Sequence, residues 1–167
     1  MARLARFRVA VGFVFGAMVF WLSEPTSGTI AIGAAVGALG EAIRIWAAGH
    51  LQKSREVTSS GPYRWVAHPL YVGSSVMGAG LAIASGTRLV AMFIAVYLAV
   101  ALTVAARAEA AFLRRTFGER YERYQGGAVD AERRFSLAQA IANHEYRAVV
   151  GLIVAVLLLA LKAARNV

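Results

Sequence analysis

The sequence predicts an all-α protein, a polytopic helical membrane protein with about five transmembrane helices. Of its 167 residues, 59% are hydrophobic and the mean hydropathy is +0.58, which is too apolar for an ordinary soluble domain of this length. The apolar residues fall into runs separated by short polar stretches, as in a membrane protein. Basic residues flank these runs, as they do beside membrane spans. We therefore treat residues 1–167 as a single integral membrane domain.

The composition also limits the kinds of functional site that the chain can contain. The chain has no cysteine, which excludes disulfides, thiolate metal sites and a cysteine nucleophile. Its three histidines are scattered without metal-ligand spacing, so no metal is expected. The net charge of +9 comes from residues around the apolar runs and not from one basic stripe. The expected partner is therefore the lipid bilayer and not nucleic acid.

The first apolar run, residues 9–22, follows a basic lead-in at residues 1–8. A basic start before an apolar run is also typical of a signal peptide. This run, however, ends in Trp-Leu-Ser-Glu-Pro and lacks a small-x-small cleavage site. It is interpreted as a retained first span.

The second span is predicted at residues 29–49. Its Gly33 and Gly37 have small-xxx-small spacing, as do Gly12 and Gly16 in the first span. Such pairs favour close packing between membrane helices. They do not form a dinucleotide fingerprint, because no strand precedes them and the full spacing is absent.

Two ionisable residues, Glu41 and Arg44, lie within this second span. They are three residues apart and so share a helix face. Each would cost about 2.5–3.5 kcal/mol at the centre of a bilayer, but both lie near the end of the span, where snorkelling lowers the cost. Two interpretations stay open, an ion pair near the interface and the polar lining of a cavity.

Two further spans are predicted as an antiparallel hairpin. The third occupies residues 70–85, a tight turn follows at residues 85–88, and the fourth ends at about residue 106. A helix over residues 107–124 is expected to continue out of the membrane and to end at Gly126-Gly127. The polar loop at residues 50–67 precedes this hairpin.

The carboxyl-terminal part is predicted to contain a short interfacial helix at residues 135–142 and a fifth span at residues 146–161. The amino terminus, residues 50–67 and residues 107–147 carry the basic excess, so this side is expected to be cytoplasmic. The opposite turns contain only Arg88 and Glu24. The carboxyl terminus, with Lys162 and Arg165, fits this scheme least well. For a bacterial chain, the predicted location is the inner membrane.

Residues 61–73, Gly-Pro-Tyr-Arg-Trp-Val-Ala-His-Pro-Leu-Tyr-Val-Gly, are predicted to form a functional site. Pro69 suits the first turn of a helix, where its missing N–H costs nothing. The preceding His68 is thereby kept out of the helix. Glu109 is the acid nearest the end of the fourth span, and it is either part of this site or a solvated carboxylate beside Arg107.

Three motifs then appear in order: Gly61-Pro62-Tyr63, His68-Pro69-x-Tyr71-x-Gly73, and Glu109-x-x-x-Leu113-x-x-x-Phe117-Gly118-x-x-Tyr121-x-x-Tyr124. This set resembles the isoprenylcysteine carboxyl methyltransferase family, and phospholipid methyltransferases are similar in the same region. The upstream sequence from Arg44 to Leu51 resembles the bacterial branch. The resemblance covers residues 44–124 as a methyltransferase-like core, and residues 125–167 form a divergent tail with the last span.

The resemblance implies methyl transfer from S-adenosylmethionine, which leaves S-adenosylhomocysteine, in a cofactor pocket at the cytoplasmic face. It also implies a catalytic role for Glu109 and for Arg107, the latter facing the substrate, although the spacing of Arg107 from Glu109 is shorter than in the family. The cofactor-binding residues that it implies are Arg55, Glu56, Val57, Thr58, Tyr63, His68, Pro69, Leu70, Tyr71 and Glu109.

The chain departs from the family pattern at three places. Ala67 replaces the usual basic residue before His-Pro, and Ala110 replaces a second glutamate. The Val-Pro-x-x-x-Pro ending is missing beyond Tyr124, where the tail takes its place. In that tail, His144 and Glu145 could reach a substrate, but an interfacial surface role is the favoured interpretation.

Three functions are compatible with these residues. The first is a membrane methyltransferase with a lipophilic or lipid-like acceptor that reaches the site from the bilayer. The second is an NADPH-dependent reductase of the sterol reductase kind, with Lys53, Arg55 and Arg64 near the 2′-phosphate. The third is a non-catalytic membrane subunit on the same scaffold. Nothing in the sequence indicates the oligomeric state.

Overall fold

The computed structural model describes Gly12 and residues 14–53, 55–127 and 133–165. All regular secondary structure in these ranges is helical, as predicted. The basic lead-in and the predicted start of the first span at Val9 lie outside the described residues. The helices are residues 14–22 (α1), Ser27–His50 (α2), the 3-10 helix Gly61–Arg64, Pro69–Ala84 (α3), Arg88–Phe117 (α4), Glu119–Gln125 (α5), Leu137–Ala142 (α6) and Tyr146–Arg165 (α7).

Three of the described helices are long and apolar enough to cross a membrane. They are α2, α4 and α7, with mean hydropathies of 1.5, 2.6 and 2.2. Helix α3 has 16 residues, which is short of the ~20 that a full span requires. The protein is therefore an integral membrane protein with three candidate spans, and the count of five stays a prediction.

Helices α2 and α3 pack against each other through glycines. A Cβ atom on Gly33 would lie 2.5 Å from the carbonyl oxygen of Gly80. A Cβ on Gly40 would collide with the backbone of Met77, and one on Gly80 would collide with the backbone of Gly37. Only the absence of side chains lets the two backbones approach this closely. The predicted close packing is confirmed for Gly33 and Gly37.

The same expectation is wrong for Gly12 and Gly16. Among the described residues, no atom lies within 4 Å of a Cβ built on either glycine. The small-xxx-small spacing recurs in the first helix, but no neighbouring backbone approaches it in the part of the chain that the structure describes.

The α3–α4 hairpin forms as predicted. Its turn contains Gly86 at φ +74°, a left-handed conformation that glycine adopts without strain. The backbone N–H of Glu24, in the turn between α1 and α2, donates to the carbonyl of Ser85 at 2.7 Å. The two turns therefore lie together. We call this end of the molecule the turn end, and the opposite end, where α2 ends and α3 begins, the site end.

Helix α7 runs back to the turn end. Near its last residue, the Lys162 ammonium donates to the carbonyls of Phe20 at 2.6 Å and Trp21 at 2.7 Å. These carbonyls lie at the end of α1 and have no helical partner of their own. The carboxyl end of α7 therefore lies away from the site end, which explains why its basic residues fit the predicted charge pattern least well. Helix α7 also extends beyond the predicted end at Leu161 to Arg165.

The predicted helix over residues 107–124 is interrupted. Helix α4 continues without a break to Phe117, and Gly118, at φ +48°, separates it from α5. Glycine takes this positive φ more readily than any other residue and so ends the helix here. Helix α5 stops at Gln125, before Gly126-Gly127 as predicted. Its Tyr124 hydroxyl donates to the carbonyl of Tyr63 at 2.9 Å. Helix α5 therefore lies at the site end.

Candidate functional site

A cavity of about 400 Å³ opens at the site end, within the size range of small-molecule sites. It lies between the end of α2, the loop that follows it, the start of α3, the later part of α4, and α5. Its lining residues are Arg44, Leu51, Gln52, Lys53, Glu56, Val57, Thr58, Tyr63, Ala67, His68, Leu70, Tyr71, Glu109, Phe112, Leu113 and Tyr124.

The His-Pro turn has the predicted geometry. Pro69 is the first residue of α3 and is buried, and His68 lies outside the helix at φ −133° and ψ 65°. The His68 carbonyl accepts from the N–H groups of Tyr71, at 3.0 Å, and Val72, at 3.2 Å. These hydrogen bonds form the first turn of α3, and His68 lies at the N-terminus of the helix.

His68 is held on two sides. Its Nδ1 lies 3.1 Å from Glu109 Oε2, and its ring stacks on Tyr71 with centroids 5.2 Å apart and planes 27° apart. Glu109 therefore pairs across to the start of α3 and not along its own helix. The alternative interpretation of Glu109, as a solvated carboxylate beside Arg107, does not fit its contact with His68.

Tyr63 presents an unused hydroxyl group. The residue is 7% exposed, and its hydroxyl has no hydrogen-bond partner within the described part of the chain. Burial, and then the negative charge of Glu109, raise the pKa of Tyr63, so the phenol stays neutral and keeps its proton to donate. Buried polar groups normally have a partner. An unpartnered hydroxyl on a cavity wall is what a site for a polar ligand would contain.

The loop before the Gly-Pro-Tyr turn forms one wall of the cavity. The Thr58 hydroxyl accepts from the backbone N–H of Gln52 at 3.2 Å, which closes the loop on itself. Glu56 pairs with Arg133 from the tail at 2.8 Å. Arg55 is exposed and does not line the cavity.

Arg44 lies in the cavity and is surrounded by protein partners. Its Nε lies 3.5 Å from Glu41 Oε2, and its Nη2 lies 2.5 Å from Glu145 Oε1. Its Nη1 donates to the Ser74 hydroxyl on α3. Glu41 and Arg44 therefore form an ion pair, and Arg44 also lines the cavity whereas Glu41 does not. The position of the pair near the membrane interface stays a prediction.

The expectation of an interfacial surface role is wrong for Glu145. This residue is 7% exposed and reaches inward to Arg44, because the turn between α6 and α7 packs on the end of α2. His144 is exposed, at φ +63°. The sequence could not separate the two neighbours, because their roles depend on a backbone turn that carries no glycine or proline.

Most of the predicted site residues come together. Those that line the cavity are Glu56, Val57, Thr58, Tyr63, His68, Leu70, Tyr71 and Glu109. Three do not line it, namely Arg55, Pro69 and Arg107. Pro69 shapes the turn from a buried position. Arg107 is exposed, because two positions along a helix place its side chain about 200° from that of Glu109.

Sequence reasoning missed several lining residues. Phe112 and Leu113 lie three and four positions after Glu109, so the helical period could have placed them on the same face. Tyr124 is the last residue of the third family motif, but it was not among the predicted cofactor-binding residues. Lys53 was considered only as a contact for the 2′-phosphate under the reductase hypothesis.

One comparison with known proteins finds a match. A family model described as phospholipid methyltransferase matches residues 8–120, well over half of the chain. The matched part contains α2 to α4 and the His68, Tyr71 and Glu109 cluster. No curated protein and no solved structure matches the chain. The chain belongs to the phospholipid methyltransferase family, a family of methyltransferases that act on membrane substrates.

Proposed function

We propose that the protein transfers a methyl group from S-adenosylmethionine to a lipophilic or membrane-embedded acceptor, leaving S-adenosylhomocysteine. The observation that carries this proposal is the cluster of His68, Tyr71 and Glu109 beside the unpartnered hydroxyl of Tyr63 in one cavity. The cavity opens at the site end of helices that are apolar enough to cross a membrane.

The residues present fit this cofactor. Glu109 offers carboxylate oxygens, which can accept from ribose hydroxyls or an ammonium group. Tyr63 offers a buried donor, and Lys53 a cation for a carboxylate. Tyr71 and Tyr124 offer aromatic faces, which attract cations by about 0.5–2 kcal/mol. The bound cofactor would supply an electrophilic methyl group on a sulfonium.

The protein's own contribution is positioning. Transfer of a methyl group is a direct displacement that requires alignment and the exclusion of water more than covalent assistance. The contacts of His68 with Glu109 and Tyr71 fix one wall before any ligand binds. We place the adenosine half near His68 and Tyr71 and the methyl group towards the membrane.

The acceptor is proposed to enter from the bilayer along α4. Phe112 and Leu113 line the cavity, and Phe112 is also 47% exposed on the outer surface of the helix. An apolar molecule in the membrane could follow this surface into the cavity. The site end is proposed to face the cytoplasm, because the basic residues in the described part of the chain concentrate there.

The other two functions have less support. A reductase would need cations for the 2′-phosphate, and of Lys53, Arg55 and Arg64 only Lys53 lines the cavity. The family match also does not favour it. A non-catalytic subunit would have no need of the unpartnered Tyr63 hydroxyl.

Calorimetry on the detergent-purified protein tests the proposal. We expect S-adenosylhomocysteine to bind with a 1:1 stoichiometry and NADPH to give no heat beyond dilution. Membranes that contain the protein should then transfer labelled methyl groups from S-adenosylmethionine into the lipid extract. Binding of NADPH alone would favour the reductase, and binding of neither ligand would favour the non-catalytic subunit.

A further inference from the structure

Residues 133–145, which we call the tail segment, lie against the cavity although the family match ends at residue 120. The segment contains Arg133, Phe135, helix α6 and the turn that leads into α7. Its side chains contact residues that line the cavity at its outer rim, along one wall and at its base.

The outer contact is an arginine clamp. Arg133 Nε lies 2.8 Å from Glu56 Oε1, and Arg133 Nη2 donates to Glu56 Oε2 at 3.0 Å. Both carboxylate oxygens are engaged, and a two-pronged pair of this kind fixes orientation as well as distance. Glu56 is a cavity-lining residue, so the clamp holds the rim.

The middle contacts cap the end of α2. The Asn143 amide donates to the carbonyls of Ala48 at 2.8 Å and Leu51 at 2.9 Å. The Gln139 amide donates to the Leu51 carbonyl at 3.1 Å and accepts from the Gln52 amide at 3.2 Å. The last carbonyls of a helix have no partner within the helix. The tail segment supplies those partners at the point where the chain leaves α2 for the cavity wall.

Backbone packing tightens the same junction. The ring of Phe135 lies so close to Gly49 that a Cβ there would collide with it. The N–H of Ser136 donates to the Gly49 carbonyl at 3.2 Å. The tail segment and the end of α2 therefore form one packed unit.

The inner contact is the ion pair of Glu145 with Arg44. Glu145 and Glu41 are 7% and 4% exposed, and the Arg44 side chain is 19% exposed. The guanidinium contacts Glu41, Glu145 and Ser74. All three of its nitrogens are therefore engaged by protein groups. Removing one partner of a buried ion pair leaves the other charge uncompensated. Arg44 is thus held in place by its own helix, by α3 and by the tail segment.

We propose that the tail segment braces a wall of the cofactor cavity from outside the cavity and that Glu145 is its positioning residue, acting through Arg44. Glu145 fixes the guanidinium at the base of the cavity, while Arg133 and the amides of Gln139 and Asn143 fix Leu51, Gln52 and Glu56 in the adjoining wall. The identity of the ligand rests on the proposed function, but the positioning of the wall does not.

A double-mutant cycle on the full chain in detergent tests the inner contact. Glu145→Gln is expected to weaken S-adenosylhomocysteine binding roughly tenfold, as loss of a hydrogen bond to a charged group would. Arg44→Met should weaken it by a similar factor. The double variant should bind like Arg44→Met alone, since Glu145 acts through Arg44. Glu122→Gln removes an exposed carboxylate on α5 and should bind like the wild type.

Hydrogen exchange without ligand gives a second readout. Glu145→Gln and Arg133→Gln should both speed exchange of the backbone amides in residues 51–58, and Glu122→Gln should not. Arg133→Gln alters an exposed pair, so it provides the test if the buried variant does not fold. Glu145→Asp, which keeps the charge, should restore part of the protection.

Either of two results would overturn the proposal. One is unchanged exchange of residues 51–58 in Arg133→Gln and in any Glu145 variant that folds. The other is losses of affinity that add in the Arg44 and Glu145 double variant. A wild-type protein that binds no S-adenosylhomocysteine would instead overturn the proposed function, and the exchange measurements would then decide the role of the tail segment.

Discussion

The Nδ1 atom of His68 lies 3.1 Å from the Oε2 atom of Glu109, which joins the start of α3 to the later part of α4. The two helices are already joined at the turn end by a three-residue turn, so this pair ties the hairpin at both ends. A ligand at the site end therefore meets a preformed wall. Preformed groups lower the entropy cost of binding.

Glu109→Gln is predicted to weaken S-adenosylhomocysteine binding by tenfold or more while the protein stays folded. The side chains of His68 and Glu109 are 25% and 39% exposed, so their pair contributes at most about 1 kcal/mol to stability. The measurement is calorimetry together with a thermal melt. Glu119→Gln, an exposed carboxylate on α5, is the control. An unchanged affinity would mean that Glu109 serves only the hairpin.

Tyr63→Phe is predicted to have opposite effects on stability and on binding. The buried hydroxyl has no partner among the described residues. Its removal should therefore raise the free energy of unfolding without ligand by about 1–3 kcal/mol, and the melting temperature with it. If the ligand accepts a hydrogen bond from it, affinity should fall about tenfold. The same melts with and without S-adenosylhomocysteine measure both effects. A variant that gains stability and keeps full affinity would show that the ligand does not use this hydroxyl.

Gly40→Ala is predicted to destabilise the protein severely. The added Cβ would collide with the backbone of Met77, and backbone atoms of a packed helix cannot move aside cheaply. Gly151→Ala on α7 is the matched control, because nothing lies within 4 Å of its Cβ and alanine favours a helix by up to about 1 kcal/mol. Melting in detergent compares the two. Equal stabilities would contradict the packing of α2 on α3.

Arg107→Ala is predicted to leave the affinity for S-adenosylhomocysteine unchanged. Arg107 is exposed and does not line the cavity, so it has no contact with a ligand there. Its role towards a substrate stays a prediction, which turnover with a membrane acceptor tests. Arg115→Ala, also exposed on α4, is the control. A loss of turnover specific to Arg107→Ala would support that role, and a loss of cofactor affinity would contradict the placement.

Ser27 and Glu122 are predicted to lie on opposite sides of the membrane. Ser27 begins α2 at the turn end, and Glu122 lies in α5 at the site end. The chain has no native cysteine, so a single cysteine at either position can be labelled without background. In intact cells, a membrane-impermeant thiol reagent should label Ser27→Cys and not Glu122→Cys. The reverse pattern would place the site end outside the cell.

The parts of the site whose conformation depends only on adjacent residues could be predicted from the sequence. The fixed φ of Pro69 places His68 outside a helix, and this needs no knowledge of the rest of the chain. The hairpin turn at Gly86 is equally local. The glycine seam of α2 was visible from its spacing, although the spacing alone could not separate Gly33, which packs, from Gly16, which does not.

The parts that failed depend on contacts between distant segments. The partner of Glu109 follows from the rotation of α4 against α3, which sequence spacing does not fix. The burial of Glu145 depends on where the tail packs. The sequence around Arg44 does not indicate which distant carboxylate pairs with it. The break at Gly118 was missed because a glycine inside a helical pattern is often tolerated.

Helix α4 also determines the depth at which the site lies. It has 30 residues, and Glu109 lies 21 positions after Arg88, which is about 32 Å along the helix axis. The hydrocarbon layer of a bilayer is about 30 Å thick. With Arg88 at one membrane surface, Glu109 lies at the level of the lipid headgroups on the other. For the proposed methyl transfer, we therefore expect amphiphiles that carry their reactive atom at the polar end to be accepted, and molecules whose reactive atom stays among the acyl chains to be rejected.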